Sequence, residues 1–96
     1  MEKLEISSML TISTAHISEE TAKLIESNAI QGLIHYQKNE YGWFIYTGVE
    51  EDEVELKEDL PEDLKSVMDV AIRHNCIWLC LDRDAELAKD LPIYHW

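Results

Sequence analysis

Glycine and proline are scarce in this sequence, with three and two respectively among 96 residues. That scarcity excludes a collagen-like repeat and a Pro/Gly-rich linker protein. Basic residues are scarce as well. Eight Lys and Arg stand against 20 Asp and Glu, giving a net charge of -12. A protein that binds DNA or RNA by neutralising phosphates needs the opposite sign, so no direct nucleic-acid contact is expected. An anionic membrane surface is disfavoured for the same reason. No apolar run approaches the roughly 18 residues of a membrane span. The first thirty residues carry Glu2, Lys3, Glu5, Glu19 and Glu20 and hold no stretch resembling a signal peptide. Two cysteines are too few for a secreted disulfide scaffold. The expected location is the cytoplasm. Neither a G-x-G-x-x-G string nor a P-loop is present, so no nucleotide cofactor is expected.

What is present is a folded core's worth of apolar residues. They make up 46% of the chain and include three Trp and four Tyr, enough for one domain spanning residues 1–96. Met9 to Thr14 alternates and contains β-branched residues, which predicts a strand. Ser18 then suits a helix cap, with Glu19 and Glu20 at the positive end of the dipole. Thr21, Leu24, Ile25 and Asn28 share a face of a helix running to about Ser27. Gly32 breaks this segment. Leu33 to Gln37 and Trp43 to Thr47, joined by a turn from Lys38 to Gly42, form a hairpin pattern.

Beyond Gly48 the composition turns acidic, with nine acids and one lysine between Glu50 and Asp63. Pro61 fits the first position of a second helix. Leu64, Val67, Met68, Ala71 and Ile72 follow the spacing of a core-facing stripe, and Asn75 suits the helix stop. Cys76 to Leu81 is apolar at every position and predicts an interior strand. A short helix over 85–89 and an edge strand over 92–96 complete the reading. The order β-α-β-β-α-β predicts an α+β domain of the ferredoxin-like, split-βαβ kind, with two main helices on one face and a short C-terminal helix/strand extension. In that topology the last regular strand is an edge, so the 92–96 tail is expected to cover it.

Three strings carry a resemblance: Ile12-Ser13-Thr14-Ala15-His16-Ile17, Tyr41-Gly42-Trp43-Phe44-Ile45-Tyr46, and Trp78-Leu79-Cys80-Leu81-Asp82-Arg83-Asp84 with Leu91-Pro92-Ile93-Tyr94 behind it. Together they resemble a small uncharacterised acidic family of Gram-positive gut bacteria, often found on conjugative or phage-like elements. That family has no assigned activity. The resemblance implies only a mobile-element setting, in which small acidic proteins act against restriction or CRISPR systems.

Candidate chemistry is sparse. On a strand, Cys76 and Cys80 would stand about 13 Å apart at 3.3 Å per residue, too far for a disulfide or a shared zinc. They read as structural thiols, and no metal site is expected. His16, His35, His74 and His95 lie on separate elements, and Asp82 and Asp84 stand together at the end of a buried strand. An enzyme or small-ligand protein would need some of them to converge in one pocket. The simpler reading makes Asp84 a helix cap, pairs Asp82 with Arg83 or Arg73, and places His74 at a helix C-terminus.

The aromatic residues are numerous, and Trp43 and Tyr46 fall on opposite faces of one strand. The second sheet face is therefore expected either to be covered by a second layer formed by the tail or, in preference, to meet a partner protein or a second copy in a homodimer. The acidic segment reads either as a solvated face or as part of that contact. A chain of this length spans roughly 32 Å. Duplex DNA of that length carries about 19 charges, the same order as this domain. The expected function is a non-enzymatic protein-binding module that inhibits a nucleic-acid-handling host-defence protein. Glu50, Glu51, Asp52, Glu53, Glu55, Glu58, Asp59, Glu62 and Asp63 would stand in for phosphates against a basic partner, with Trp43 and Tyr46 as apolar anchors.

Overall fold

The computed structural model describes residues 7–30, 32–48 and 60–96. Within them lie β1 (Met9–Ile12), a 3-10 helix (Thr14–His16), α1 (Glu19–Glu26), β2 (His35–Lys38), β3 (Gly42–Tyr46), α2 (Glu62–Arg73) and β4 (Trp78–Asp82). The fold is a small α+β arrangement with two helices and one four-stranded mixed sheet. Its strand order is β1-β4-β3-β2, with β1 parallel to β4 and the other neighbours antiparallel.

That order departs from the split-βαβ expectation. The last strand is interior and the first is the edge. Composition accounts for the difference, because Leu79, Cys80 and Leu81 are each at most 1% exposed. A strand buried on both faces is satisfied only with a neighbour on each side, and β1 supplies the second one. The 92–96 tail does not.

The tail forms neither of its expected elements. Its backbone groups are taken by the 3-10 helix and the segments around it. Ala88 N–H donates to His16 Nε2 at 2.8 Å, so it does not close a helical turn over 85–89. Glu86 accepts from Ser13 N–H, and Tyr94 N–H donates to Ala15 O at 2.7 Å. The remaining ring nitrogen of His16 meets Pro92 O at 2.8 Å. Because Nε2 accepts, Nδ1 must carry the proton that Pro92 receives. His16 is 1% exposed and acts as a clasp between the start of the chain and its end.

Both helices pack into one cluster with the inner face of the sheet. Leu64, Val67, Met68 and Ala71 come from α2, Ala22 and Ile25 from α1, and Ile12, Ile45, Leu79 and Leu81 from the strands. The α2 stripe matches its predicted spacing, with Ile72 only half-buried. On α1 the stripe is rotated: Ala22 is inside and Leu24 is exposed. Pro61 occupies the N-cap of α2 and not its first helical position.

Both helices end the same way. Asn28 and Asn75 take left-handed φ values of 58° and 57°. The next amide reaches back five residues in each case, Ala29 to Leu24 O and Cys76 to Ala71 O, both at 2.9 Å. These are Schellman closures, in which asparagine tolerates the conformation glycine usually supplies. Among the described residues no helix is long and apolar enough to cross a membrane.

Candidate functional site

The N-termini of the two helices are joined by one carboxylate. Ser18 caps α1, its hydroxyl accepting from Thr21 N–H at 3.2 Å. Its own N–H donates to Asp63 Oδ2 at 2.7 Å, and the Thr21 hydroxyl donates to Asp63 Oδ1 at 2.8 Å. Asp63, in the first turn of α2, thus bolts the start of one helix to the start of the other. The joined helix starts carry the exposed Glu19, Glu20 and Glu62, with Glu19 paired to Lys23 at 3.3 Å. Each acid sits where the helix dipole favours negative charge. The result is an acidic pole built from two elements, at the end of α2 that the acidic segment enters. Glu50, Glu51, Asp52, Glu53, Glu55, Glu58 and Asp59 lie outside the described residues. Of the two remaining acids in that set, Glu62 faces solvent and Asp63 has both oxygens engaged internally.

The aromatic residues divide between the two sheet faces. Register places Trp43 opposite Leu81 and Ile45 opposite Leu79, on the helix side. Phe44, Tyr46, Trp78 and Cys80 occupy the outer face. There the Tyr46 ring meets Trp78 edge-on at 5.5 Å, and Tyr36 approaches the same indole at 6.0 Å. Trp43 and Tyr46 therefore serve different surfaces of the protein.

The titratable groups singled out in the sequence do not converge. His16 clasps the tail. His35 Nε2 contacts Asn28 Oδ1 at 3.1 Å, and His74 lies exposed at the end of α2. Asp82 sits on the outer face and pairs with Lys38 at 2.6 Å, not with Arg83 or Arg73. Arg73 pairs with Asp69, and the Arg83 guanidinium lies 4.9 Å over the Tyr41 ring. Asp84 donates its N–H to Asp82 Oδ1 at 2.9 Å, in a turn and not at a helix cap. Both cysteines are free thiols, and Cys76 precedes β4 while Cys80 lies within it. Among the described residues no three His, Cys, Asp or Glu side chains are grouped as metal ligands.

The Lys38–Asp82 pair spans three strands. Lys38 and Asp82 both pair in register with Gly42, from opposite sides of β3. Strands two apart are separated by about 9.6 Å, which the Lys38 stem spans to reach Asp82. Gly42 serves the close approach of β4, because a Cβ there would run into the Leu81 carbonyl oxygen. The hydrogen bond from Lys38 holds the Asp82 carboxyl below its ordinary value, aided by Asp84 N–H. The same bond raises Lys38 against an opposing effect of desolvation. Sequence reading missed Lys38 because the partnership depends on strand order.

A cleft of about 440 Å³ opens where the β2–β3 turn meets the end of α1 and the tail. Trp43, Tyr41 and Trp96 line it together with the exposed carboxylates Glu26 and Glu40, and Arg83 stands on its wall. The Trp96 indole is fixed by a 2.9 Å hydrogen bond to Ile17 O. None of His16, His35, His74, Asp82 or Asp84 lines this cleft. Sequence reasoning counts Trp96 among the aromatic residues but misses Glu26 and their place beside Trp43, because only the folded tail brings the three together.

No curated protein and no solved structure matches the chain significantly. A family model does match, over residues 9–96, which takes in every strand and helix described above. The chain belongs to that family, the family of unknown function DUF5983, C-terminal domain.

Proposed function

We propose that this domain is a non-enzymatic, acidic protein-binding module that engages a basic surface on a partner protein. The observation that carries this reading is the Asp63 bolt, which joins the starts of the two helices that carry the exposed Glu19, Glu20 and Glu62. The target class we propose is a nucleic-acid-handling defence protein, of the restriction or CRISPR kind, whose phosphate-binding channel the acids would occupy. The net charge of -12 and the resemblance to mobile-element proteins support that class. The competing reading, a small enzyme or ligand-binding protein, needs His16, His35, His74, Asp82 and Asp84 to share a pocket, and their dispersal lends it no support.

The test is kinetic. The partner is identified by pull-down from the native host and purified, and association is then followed at low and high salt. Replacing Glu19, Glu20, Glu62, Glu50, Glu51 and Glu53 with Gln, and Asp52 with Asn, is expected to slow association about tenfold at low salt. The difference should shrink as salt screens charges beyond about 8–10 Å. A variant that associates as fast as the wild type at low salt would sink the reading. So would a pull-down that returns only metabolic enzymes.

A further inference from the structure

The cleft beside the β2–β3 turn has a lining that the acidic pole does not explain. Its lining combines three aromatic side chains, Trp43, Tyr41 and Trp96, with the polar Thr14, Gln37 and Asn39 and the carboxylates of Glu26 and Glu40. Its volume of about 440 Å³ is in the range of small-molecule sites. Aromatic faces carry negative electrostatic potential and attract organic cations, and nearby carboxylates add to that attraction. Among the described residues the one cation on the wall, Arg83, is itself stacked 4.9 Å over Tyr41 and shows that a guanidinium packs here. Its backbone N–H is also tied to Tyr41 O at 2.8 Å, so it stays at the rim.

We propose that this cleft receives an arginine side chain projecting from the partner protein. The inference rests on the basic-partner reading and gives that partner a defined anchor. Arginine fits better than lysine on physical grounds. Its guanidinium is planar, stacks on indoles, and donates two parallel hydrogen bonds to a carboxylate, whereas an ammonium is a strongly hydrated point charge. The two acidic regions belong to one surface. Glu19 at the pole and Glu26 at the cleft are seven residues apart on α1, hence two turns along one helix face and separated by about 10 Å, with Lys23 between them and paired to Glu19 at 3.3 Å. A partner presenting basic residues at that spacing engages both together.

The probe is N-acetyl-arginine methylamide, added to the full domain while the indole N–H resonances of Trp43 and Trp96 are followed by NMR. Both resonances are expected to shift and saturate. N-acetyl-citrulline methylamide has the same shape without the charge and is expected to bind at least about tenfold more weakly. N-acetyl-lysine methylamide should fall between them. Replacing the exposed Glu26 and Glu40 with Gln is expected to weaken the arginine probe about tenfold, with the dispersion of the spectrum confirming the fold. Arg83→Gln should tighten it, because a like charge is removed from the wall.

Equal binding of the citrulline and arginine probes overturns the proposal. So does a lack of saturation by the arginine probe in folded protein. Binding of N-acetyl-glutamate methylamide that is lost in Arg83→Gln would make the cleft an anion site and overturn it as well. Failure here is separable from failure of the basic-partner reading. If the pole variants slow partner association but arginine leaves both indoles unmoved, only the cleft assignment falls. If arginine binds but partner association ignores charge, the partner reading falls and the cleft remains a guanidinium site without that partner.

Discussion

Lys38 and Asp82 hold each other ionised at the outer face of the sheet, and the sign of each shift sets a pH window. Asp82 is lowered from 3.8 by its hydrogen bonds from Lys38 and Asp84 N–H. Its contribution to stability is complete above that ordinary value and is lost as the pH falls through the lowered one. Lys38 is raised from 10.5, chiefly by its bond to Asp82. Its contribution is complete below 10.5 and is lost as the pH rises through the raised value. Lys38→Met should therefore be less stable than the wild type by a constant amount between those two ordinary values. The gap should narrow at both extremes. Urea midpoints measured across the pH range check this, and a gap that persists unchanged below the acid limit would show that the ion pair is not its source.

At the level of elements, two asparagines do the same work and were read differently. Asn75 follows a long stripe, Leu64 to Ala71, so its place after a helix was legible from spacing alone. Asn28 follows only two turns of α1, and its spacing from Thr21 and Ile25 made it look like part of a helical face. Both amount to one left-handed residue closing one helix. Asn75→Val is expected to cost about 1–2 kcal/mol, because a β-branched residue resists that conformation, while Asn75→Gly should stay within about 0.5 kcal/mol of the wild type. Chemical denaturation of the two variants measures the contrast, and equal costs would argue against the backbone explanation. The same contrast between local and distant signals explains the rest of the reading. Helices, the hairpin and the interior character of β4 depend on residues close in sequence, and they were visible. The tail was not, because one buried ring, His16, takes Ala88 N–H and serves Pro92 O from more than seventy positions away. The candidate cleft was hidden for the same reason, since Glu26, Trp43 and Trp96 meet only after the tail is clasped.

For the molecule as a whole, charge opposes compaction. A net of -12 on 96 residues means that folding brings like charges together. Counterions relieve part of that repulsion. Thermal melts should therefore move up by a few degrees as salt rises from about 10 to 200 mM, a range over which the screening length shortens severalfold. A melting temperature that falls with salt would mean that attractive pairs such as Lys38–Asp82 outweigh the repulsion. The strand order has a further consequence, and it concerns synthesis. The middle of the sheet is its last strand, and β1 finds its partners at Trp78 to Leu81. A nascent chain that has released both helices and the hairpin still has no strand on which to assemble them. Folding waits for β4 to clear the ribosome and then proceeds in one step dominated by distant contacts, the kind that topology makes slow. Until that moment β1 and β3 both present open edges, and the acidic residues of the emerging chain keep neighbouring copies apart while they wait.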